Sequence, residues 1–273
     1  MQASTPAAAR AARSSFYTGM RILPPEQREA MFEIYAFCRA VDDIADDPGR
    51  RDARLAALEQ WRNDLAALYA GAAPPHLHGL AQAVRRFDLA HGDFLAVIAG
   101  MEMDVVADIR APDAATLDLY CDRVACAVGR LSVRVFGMER ESGLALAHHL
   151  GRALQLTNIL RDLDEDAAMG RLYLPRESLR GVGIIGADPG TVLANPMLGE
   201  ACAAIVAMAK TDFAQARAIM AKSPRRAVRA PRIMGEAYRR ILDQLIARGF
   251  APPRPPVHLP RLKILLIVLR NLF

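Results

Sequence analysis

Two short acidic segments contain the side chains in this sequence that are best suited to chemistry. They are residues 41–47, which read Val-Asp-Asp-Ile-Ala-Asp-Asp, and residues 158–166, which read Asn-Ile-Leu-Arg-Asp-Leu-Asp-Glu-Asp. Both lie in runs with helical periodicity, and residues four apart on a helix share one face. Each segment is therefore predicted to present a column of oxygen ligands. The columns are Asp42 with Asp46, and Asn158 with Asp162 and Asp166.

Apolar neighbours indicate that both columns are largely buried. Ile34, Phe37 and Val41 lie beside the first column. Leu156 and Ile159 lie beside the second. Buried carboxylates need partners, and all-oxygen ligand sets suit Mg²⁺, which is usually held by one or two carboxylates and by substrate phosphate oxygens. The pattern predicts an enzyme that handles diphosphates with Mg²⁺, or with Mn²⁺ as a substitute; the alternative is two solvated helix faces.

Further side chains near these columns are suited to phosphate binding. Tyr35 and Arg39 precede the first column on the same helix face. The candidates near the second column are Gln155, Arg161 and Arg171. A guanidinium group can either neutralise a carboxylate or bind phosphate through two parallel hydrogen bonds. The alternative interpretation is a structural network of ion pairs.

The composition is that of a globular protein. Of 273 residues, 52% are hydrophobic and 24% are charged, and the formal net charge is +5. This mild charge fits an anionic substrate or a membrane surface, and aromatic residues at 6% are too few to favour base stacking. Nucleic acid is therefore not predicted as a partner. The four cysteines form no CxxC pair, which is typical of reduced core residues in a cytoplasmic protein.

Hydrophobic periodicity predicts an all-α fold in a single domain. A bundle of roughly eight helices is expected, without strands or repeats. The predicted helices cover about 25–47, 52–69, 78–90, 93–107, 113–136, 142–168, 199–221 and 224–248. Residues 181–186 match the dinucleotide pattern GxGxxG, but no strand precedes them, so a loop is expected and no NADPH site is predicted.

The two ends of the chain are expected to lie outside the bundle. Residues 1–13 are interpreted as a flexible tail that lacks the apolar run of a signal peptide. Residues 249–260 form a proline-rich spacer before the apolar and basic segment 261–273. A helix of that length reaches about 20 Å, less than the roughly 30 Å of a hydrocarbon core. We expect it to lie peripherally on the inner face of an anionic membrane; the alternative is docking on the bundle.

Four segments together resemble the squalene and phytoene synthases. They are residues 14–17 (Ser-Ser-Phe-Tyr), 34–46, 155–166 and 170–175 (Gly-Arg-Leu-Tyr-Leu-Pro), in family order and spacing, and the resemblance covers about 14–248. Within the family, residues 120–125 and 128–134 are most similar to bacterial presqualene diphosphate synthases of hopanoid biosynthesis.

The resemblance implies a helical fold around a central cavity and a Mg²⁺-dependent condensation of two farnesyl diphosphates to presqualene diphosphate. The implied catalytic residues are Asp42, Asp46, Asp162, Asp166, Arg39 and Tyr120, and the implied metal ligands are Asp42, Asp46, Asn158, Asp162 and Asp166. The implied substrate-binding residues are Ser15, Phe16, Tyr35, Arg39, Asp43, Gln155, Arg161, Arg171, Tyr173 and Tyr238, with Phe37 and Val124 as further pocket candidates.

One departure from the family pattern affects the expected product. Squalene-forming relatives carry Tyr-Cys-x-Tyr-Val-Ala-Gly where this chain carries Arg123 and Cys126 at the second tyrosine and the glycine. We therefore expect the reaction to stop at presqualene diphosphate, with Tyr120 or the released diphosphate as proton acceptor. The alternatives are a phytoene synthase, a complete squalene synthase or a non-catalytic scaffold protein of the family.

Overall fold

Helices follow one another along almost the whole chain. The computed structural model describes residues 20, 22–107 and 109–272, without the side chains of 261 and 272. The helices are α1 (Pro25–Asp46), α2 (Arg51–Tyr69), α3 (His78–Phe87), α4 (His91–Ala107), α5 (Ala114–Cys121), α6 (Ala127–Val135), α7 (Arg140–Arg161), α8 (Leu163–Ala168), α9 (Arg176–Gly181), α10 (Pro189–Leu193), α11 (Leu198–Lys222), α12 (Arg225–Arg248) and α13 (Arg261–Leu272). A 3₁₀ turn covers Pro75–Leu77, and a π-helical turn, Asp122–Cys126, joins α5 to α6.

The predicted all-α fold is confirmed. The eight predicted segments correspond to α1, α2, α3, α4, the continuous stretch from α5 to α6, α7 with α8, α11 and α12. Within the described ranges the only strand-like pairing is an isolated bridge between Arg110 and Leu172. The GxGxxG pattern begins at the last residue of α9, so a helix precedes it.

Two hydrophobic cores lie on either side of the bundle. The first is formed by α1, α2, α3, α4 and α6, with Phe37, Leu65 and Phe94 among its most buried residues. The second is built around α7, α11 and α12, with Leu156 and Leu242 fully buried. The first acidic segment is on a helix of one core and the second on a helix of the other. The active-site candidates therefore lie where the two cores meet.

The π-helical turn between α5 and α6 is packed closely from two sides. A Cβ atom on Gly100 of α4 would lie 2.6 Å from a side-chain carbon of Val124, and one on Gly151 of α7 would lie 2.9 Å from the backbone of Cys126. Both distances are too short for a larger residue without movement of its neighbours. Glycine at these two positions allows α4 and α7 to pack closely against the π-helical turn that follows Tyr120.

The second acidic segment is not one continuous helix, which corrects the prediction of helix across 142–168. Helix α7 ends at Arg161 and α8 begins at Leu163, while Asp162 has φ −99° and ψ 17°. The spacing of the column nevertheless survives, because the Asp162 amide donates to the Asn158 carbonyl and the Asp166 amide donates to the Asp162 carbonyl, both at 2.8 Å.

The C-terminal segment both docks on the bundle and exposes an apolar face. Ile267 and Val268 of α13 are buried against Ile233 and Ala237 of α12. The opposite face carries exposed leucines at positions 262, 265, 266 and 269. Among the described residues no helix is both long and apolar enough to cross a membrane.

Candidate active site

The first acidic cluster is arranged around Arg39 on α1. Its guanidinium group donates to Asp42 and to Asp43, each at 2.6 Å. Steps of three and four residues bring the three side chains onto one helix face. Asp46 lies one turn further along α1 and accepts a hydrogen bond from a different arginine, Arg171. The predicted column of Asp42 and Asp46 is therefore present, with Arg39 and Asp43 beside it. It is not largely buried as predicted, because the side chains of Asp42 and Asp46 are 35% and 39% exposed.

The second cluster is formed at the end of α7. Arg161 binds Asp162 through two hydrogen bonds of 2.7 and 2.6 Å. Gln155 lies one helical turn before Asn158, and its side-chain oxygen is 3.5 Å from the side-chain nitrogen of Asn158. The side-chain oxygen of Asn158 is buried and has no hydrogen-bond partner among the described residues. This unpaired acceptor is suited to a cation or a donor group of a bound molecule.

Arg171 connects the two clusters. It is 7% exposed, and it donates to the Asp46 carboxylate at 2.7 Å and to the Ala45 carbonyl at 2.9 Å. Its position follows from the end of α8, where the Arg171 amide donates to the Asp166 carbonyl and the Gly170 amide to that of Ala167. With Gly170 at φ +76°, this is a Schellman motif. The motif turns the chain so that Arg171, which follows the second segment, reaches α1.

Asp104 is a functional candidate that the sequence reasoning missed. This carboxylate is 4% exposed and accepts hydrogen bonds from the Tyr173 hydroxyl at 2.6 Å and the Tyr120 hydroxyl at 3.0 Å. The two phenol rings stack with centroids 4.8 Å apart. The available signal was the position of Asp104 between Met103 and Val105 in a mostly apolar part of α4, where Glu102 is the other acidic residue.

Tyr173 is directed to Asp104 by an extended backbone. The Leu172 amide donates to the Ile109 carbonyl at 2.7 Å, and the Ala111 amide donates to the Leu172 carbonyl at 2.8 Å. In extended chain, residues two apart point to the same side. Arg171 and Tyr173 therefore both face the site, one toward Asp46 and the other toward Asp104.

Burial and like charge raise the pKa values of several carboxyl groups in the site. Burial, followed by the neighbouring Asp46, raises the pKa of Asp42 to about 6 although Arg39 opposes the shift. Burial and Asp162 raise the pKa of Asp166 to about 8, opposed by Arg171. Burial also raises the pKa of Asp104, against the hydrogen bond from Tyr173. The site carries more negative charge than its own arginines neutralise, so it favours added cations.

The donor set fits a hard divalent cation. It consists of carboxylate oxygens and one unpaired amide oxygen, without thiolate or imidazole ligands among the residues brought together. A divalent cation would pair with the free amide oxygen of Asn158 and would offset the like charge that raises the pKa values of Asp42 and Asp166.

The remaining predicted residues have different surroundings. Tyr238 is 4% exposed, and burial raises its pKa while the adjacent Arg161 opposes the shift. Tyr35 is half-buried on α1. Phe37 is 2% exposed and contacts Trp61 at 5.4 Å between ring centroids, so it belongs to the first core rather than to a pocket wall. Val124 packs against both cores. Ser15 and Phe16 lie outside the described residues.

The two positions at which this chain differs from the family pattern lie on the π-helical turn. Arg123 and Cys126 are both part of it, and Tyr120 lies just before it on α5. Burial raises the pKa of Cys126 to about 12, and its thiol donates to the His148 carbonyl at 3.3 Å. Cys126 is therefore a neutral packing residue. A π-helical turn shifts the register of the residues that follow it, and such turns occur often at functional sites.

Comparison with known proteins gives a consistent result. The family model described as squalene/phytoene synthase matches residues 9–263 of this chain, which extends past the predicted limits of 14 and 248. The presqualene diphosphate synthase of Rhodopseudomonas palustris is 60% identical over 257 residues, 94% of this chain and 92% of that protein. The presqualene diphosphate synthase of Sinorhizobium fredii is 61% identical over 249 residues, 91% of this chain and 89% of that protein.

A solved structure shares the same fold. The crystal structure of a squalene synthase from Alicyclobacillus acidocaldarius superposes with a TM-score of 0.80 at 28% identity, covering 90% of this chain and 92% of that one. The similarity thus extends over nearly the whole of both chains.

Proposed function

Since this chain belongs to the squalene/phytoene synthase family, we propose that it is a prenyltransferase that condenses two farnesyl diphosphates into presqualene diphosphate. The products are presqualene diphosphate, one free diphosphate and one proton. Two relatives named presqualene diphosphate synthase, at 60% and 61% identity over most of this chain, support this choice within the family.

The observation that carries the proposal is the junction of the two acidic clusters through Arg171. Arg171 follows the second cluster in the chain and binds Asp46 of the first. Each cluster also has its own arginine, Arg39 or Arg161. A site with carboxylates for cations and arginines for phosphates is suited to a prenyl diphosphate.

The proposed division of labour follows the residue chemistry. The metal ligands are the five oxygen-bearing residues of the two columns, with Mg²⁺ as the cation. When bound there, Mg²⁺ stabilises the negative charge of the leaving diphosphate as a Lewis acid. Arg39, Arg161 and Arg171 bind diphosphate oxygens, each exchanging a carboxylate partner for substrate. Substrate-binding roles are also proposed for Ser15, Phe16, Tyr35, Asp43, Gln155, Tyr173 and Tyr238.

Condensation also requires a proton acceptor. The carbon–oxygen bond of one farnesyl diphosphate breaks, the double bond of the second supplies electrons for a new carbon–carbon bond, and loss of a proton closes the cyclopropane. Tyr120 is proposed to take this proton while its own hydroxyl proton moves to Asp104, to which it already donates at 3.0 Å. The raised pKa of Asp104, caused mainly by burial, makes this carboxylate a better proton acceptor than an exposed one.

The stoichiometry of diphosphate release tests the function. Purified protein with Mg²⁺ and farnesyl diphosphate should release one diphosphate for every two farnesyl diphosphates consumed. Hydrolysis of the substrate would release one for each, which would contradict the proposal. Replacing farnesyl by geranylgeranyl diphosphate should lower kcat/KM; a higher value would identify a phytoene-type synthase instead.

The exposed face of α13 supports a peripheral membrane contact. Leucines at 262, 265, 266 and 269 are 68%, 52%, 56% and 46% exposed and follow the spacing of one helix face. Lys263 and Arg270 lie near them on the same helix. An apolar stripe flanked by cations fits an anionic bilayer surface, where the apolar prenyl product would also partition.

A further inference from the structure

Arg254 is a buried cation in the proline-rich spacer, far in sequence from both acidic segments. Its side chain is 6% exposed. It donates to Asp164 of α8 through two hydrogen bonds of 2.9 and 2.5 Å. Its remaining terminal nitrogen donates to the Leu193 carbonyl at 3.1 Å and the Phe250 carbonyl at 2.9 Å. One side chain thus joins the spacer, the end of α10 and the second acidic segment.

Helix α8, which Arg254 contacts, is too short to be stable without tertiary contacts. Helix α8 contains six residues, Leu163–Ala168, and begins directly after the backbone break at Asp162. An isolated helix of this length is unstable in water, so its position depends on contacts made elsewhere. Helix α8 packs on α10, and Arg254 binds both.

Arg254 has contacts that fix its orientation independently of Asp164. The carbonyls of Leu193 and Phe250 fix one nitrogen of the planar guanidinium group, which leaves the other edge directed at the carboxylate. The Asp164 side chain, in contrast, is 57% exposed. The arginine is therefore the rigid partner, and the aspartate with its helix is the part being held.

We propose that Arg254 is a positioning residue that holds α8 so that Asp162 and Asp166, on either side of Asp164, keep the spacing needed to bind the cation. This inference rests on the proposed function of the two columns as metal ligands. Residues that orient metal ligands commonly contribute a factor of about 10 to 100 in metal affinity. The proline-rich spacer is then part of the active-site framework and more than a connection to α13.

The test measures Mn²⁺ binding to the full-length protein directly. Binding is monitored through the decrease of the EPR signal of free Mn²⁺. Arg254→Met should weaken binding roughly tenfold or more. Charge alone acts in the opposite direction, because removing a nearby cation favours a bound metal ion. Tighter or unchanged binding in Arg254→Met would therefore overturn the proposal. Arg254→Lys keeps the charge but loses the paired hydrogen bonds of the guanidinium group, so it should bind Mn²⁺ with intermediate affinity.

The double variant Arg254→Met/Asp164→Asn separates position from charge, since it leaves the net charge of the pair unchanged. It should bind Mn²⁺ as weakly as Arg254→Met, and binding equal to that of the unmodified protein would contradict the proposal. Asp164→Asn alone keeps the carbonyl contacts of Arg254, so it reports on α8 even if Arg254→Met fails to fold. Because Asp164→Asn also removes a negative charge, Mn²⁺ binding is compared at high ionic strength, where the effect of an exposed charge is screened. Weakened binding under that condition supports the proposal, and unchanged binding contradicts it.

Arg134→Met is the control for loss of an arginine from an ion pair, because Arg134 forms a more exposed salt bridge of 2.7 Å with Asp88 on elements that supply no proposed ligand. It should leave Mn²⁺ binding unchanged; a loss as large as in Arg254→Met would mean that any such ion pair acts through general stability. Mn²⁺ binding requires no turnover. A protein that binds Mn²⁺ but does not convert farnesyl diphosphate would count against the proposed function and leave the role of Arg254 testable.

Discussion

At the residue scale, the site brings carboxylates together at an energetic cost. Asp42 and Asp166 are half-buried next to other aspartates, and desolvation together with like charge raises their pKa values, so a negative charge is unfavourable there. Arg39 and Arg171 relieve only part of this cost. Carboxylates held in this way are expected to serve binding rather than stability.

Replacing Asp42 or Asp162 by alanine should lower kcat by on the order of 10³-fold or more, because several kcal/mol of charge stabilisation would be lost. Helical circular dichroism should stay unchanged. Asp243→Ala, which removes an exposed carboxylate 3.8 Å from Arg239, is the control and should retain full activity. Near-normal turnover in both site variants would overturn the metal assignment.

Metal-free protein should lose stability as the pH rises toward about 8. The Asp166 carboxyl keeps its proton up to a pKa of about 8 in the folded chain, whereas its ordinary value is 3.8. Between these values the unfolded chain binds fewer protons, so the free energy of unfolding falls with increasing pH. Thermal melts in EDTA from pH 5 to 8.5 measure this. Asp166→Asn should flatten the profile, and an unchanged slope would contradict the assigned shift.

Tyr120→Phe should reduce kcat by about 10²-fold or more with little change in KM, since it keeps the ring stacked on Tyr173 and removes the hydroxyl. Tyr69→Phe removes a hydroxyl that donates to the Leu89 carbonyl at 2.8 Å, remote from the acidic segments, and should leave kcat unchanged. Full activity of Tyr120→Phe would assign the proton to the released diphosphate instead.

At the scale of the elements, the ends of helices determine where the functional groups lie. The break at Asp162, the Schellman motif before Arg171 and the π-helical turn after Tyr120 each redirect the chain next to a candidate residue. Regular helices supply the columns, and these irregular points bring the columns together.

Helix α13 should bind vesicles that contain anionic lipid. Flotation with phosphatidylglycerol vesicles should recover the protein, and Leu265→Glu/Leu269→Glu should abolish recovery because it places charge on the exposed stripe. Leu119→Glu, at a leucine that is 45% exposed on α5, is the control and should bind normally. Equal recovery of both variants, or none for the unmodified protein, would contradict the membrane contact.

The sequence was sufficient for the helices and for the two columns, but not for the contacts between them. Periodicity located the eight principal segments because each buries a regular apolar face. It could not predict that Asp46 pairs with Arg171, since a bond between residues so far apart depends on the packing of two cores. The π-helical turn also depends on packing, whereas Asp104 had a local signal, an acidic residue beside apolar neighbours, that could have identified it.

At the scale of the whole molecule, two cores meet at a site to which each contributes one acidic helix. The spacer joins the second acidic segment through Arg254, and α13 docks on α12. The C-terminal segment, which the sequence assigned to either a membrane or the bundle, has one face against the bundle and another free. The proposed chemistry depends on this arrangement as a whole, because neither core holds all the ligands.

The most direct test of this account is the identity of the product. Purified protein would be incubated with Mg²⁺ and farnesyl diphosphate, with and without NADPH, and the extracted products identified by mass spectrometry. We expect presqualene diphosphate in both reactions. Squalene as the main product when NADPH is present would contradict the claim that the reaction stops at the cyclopropane.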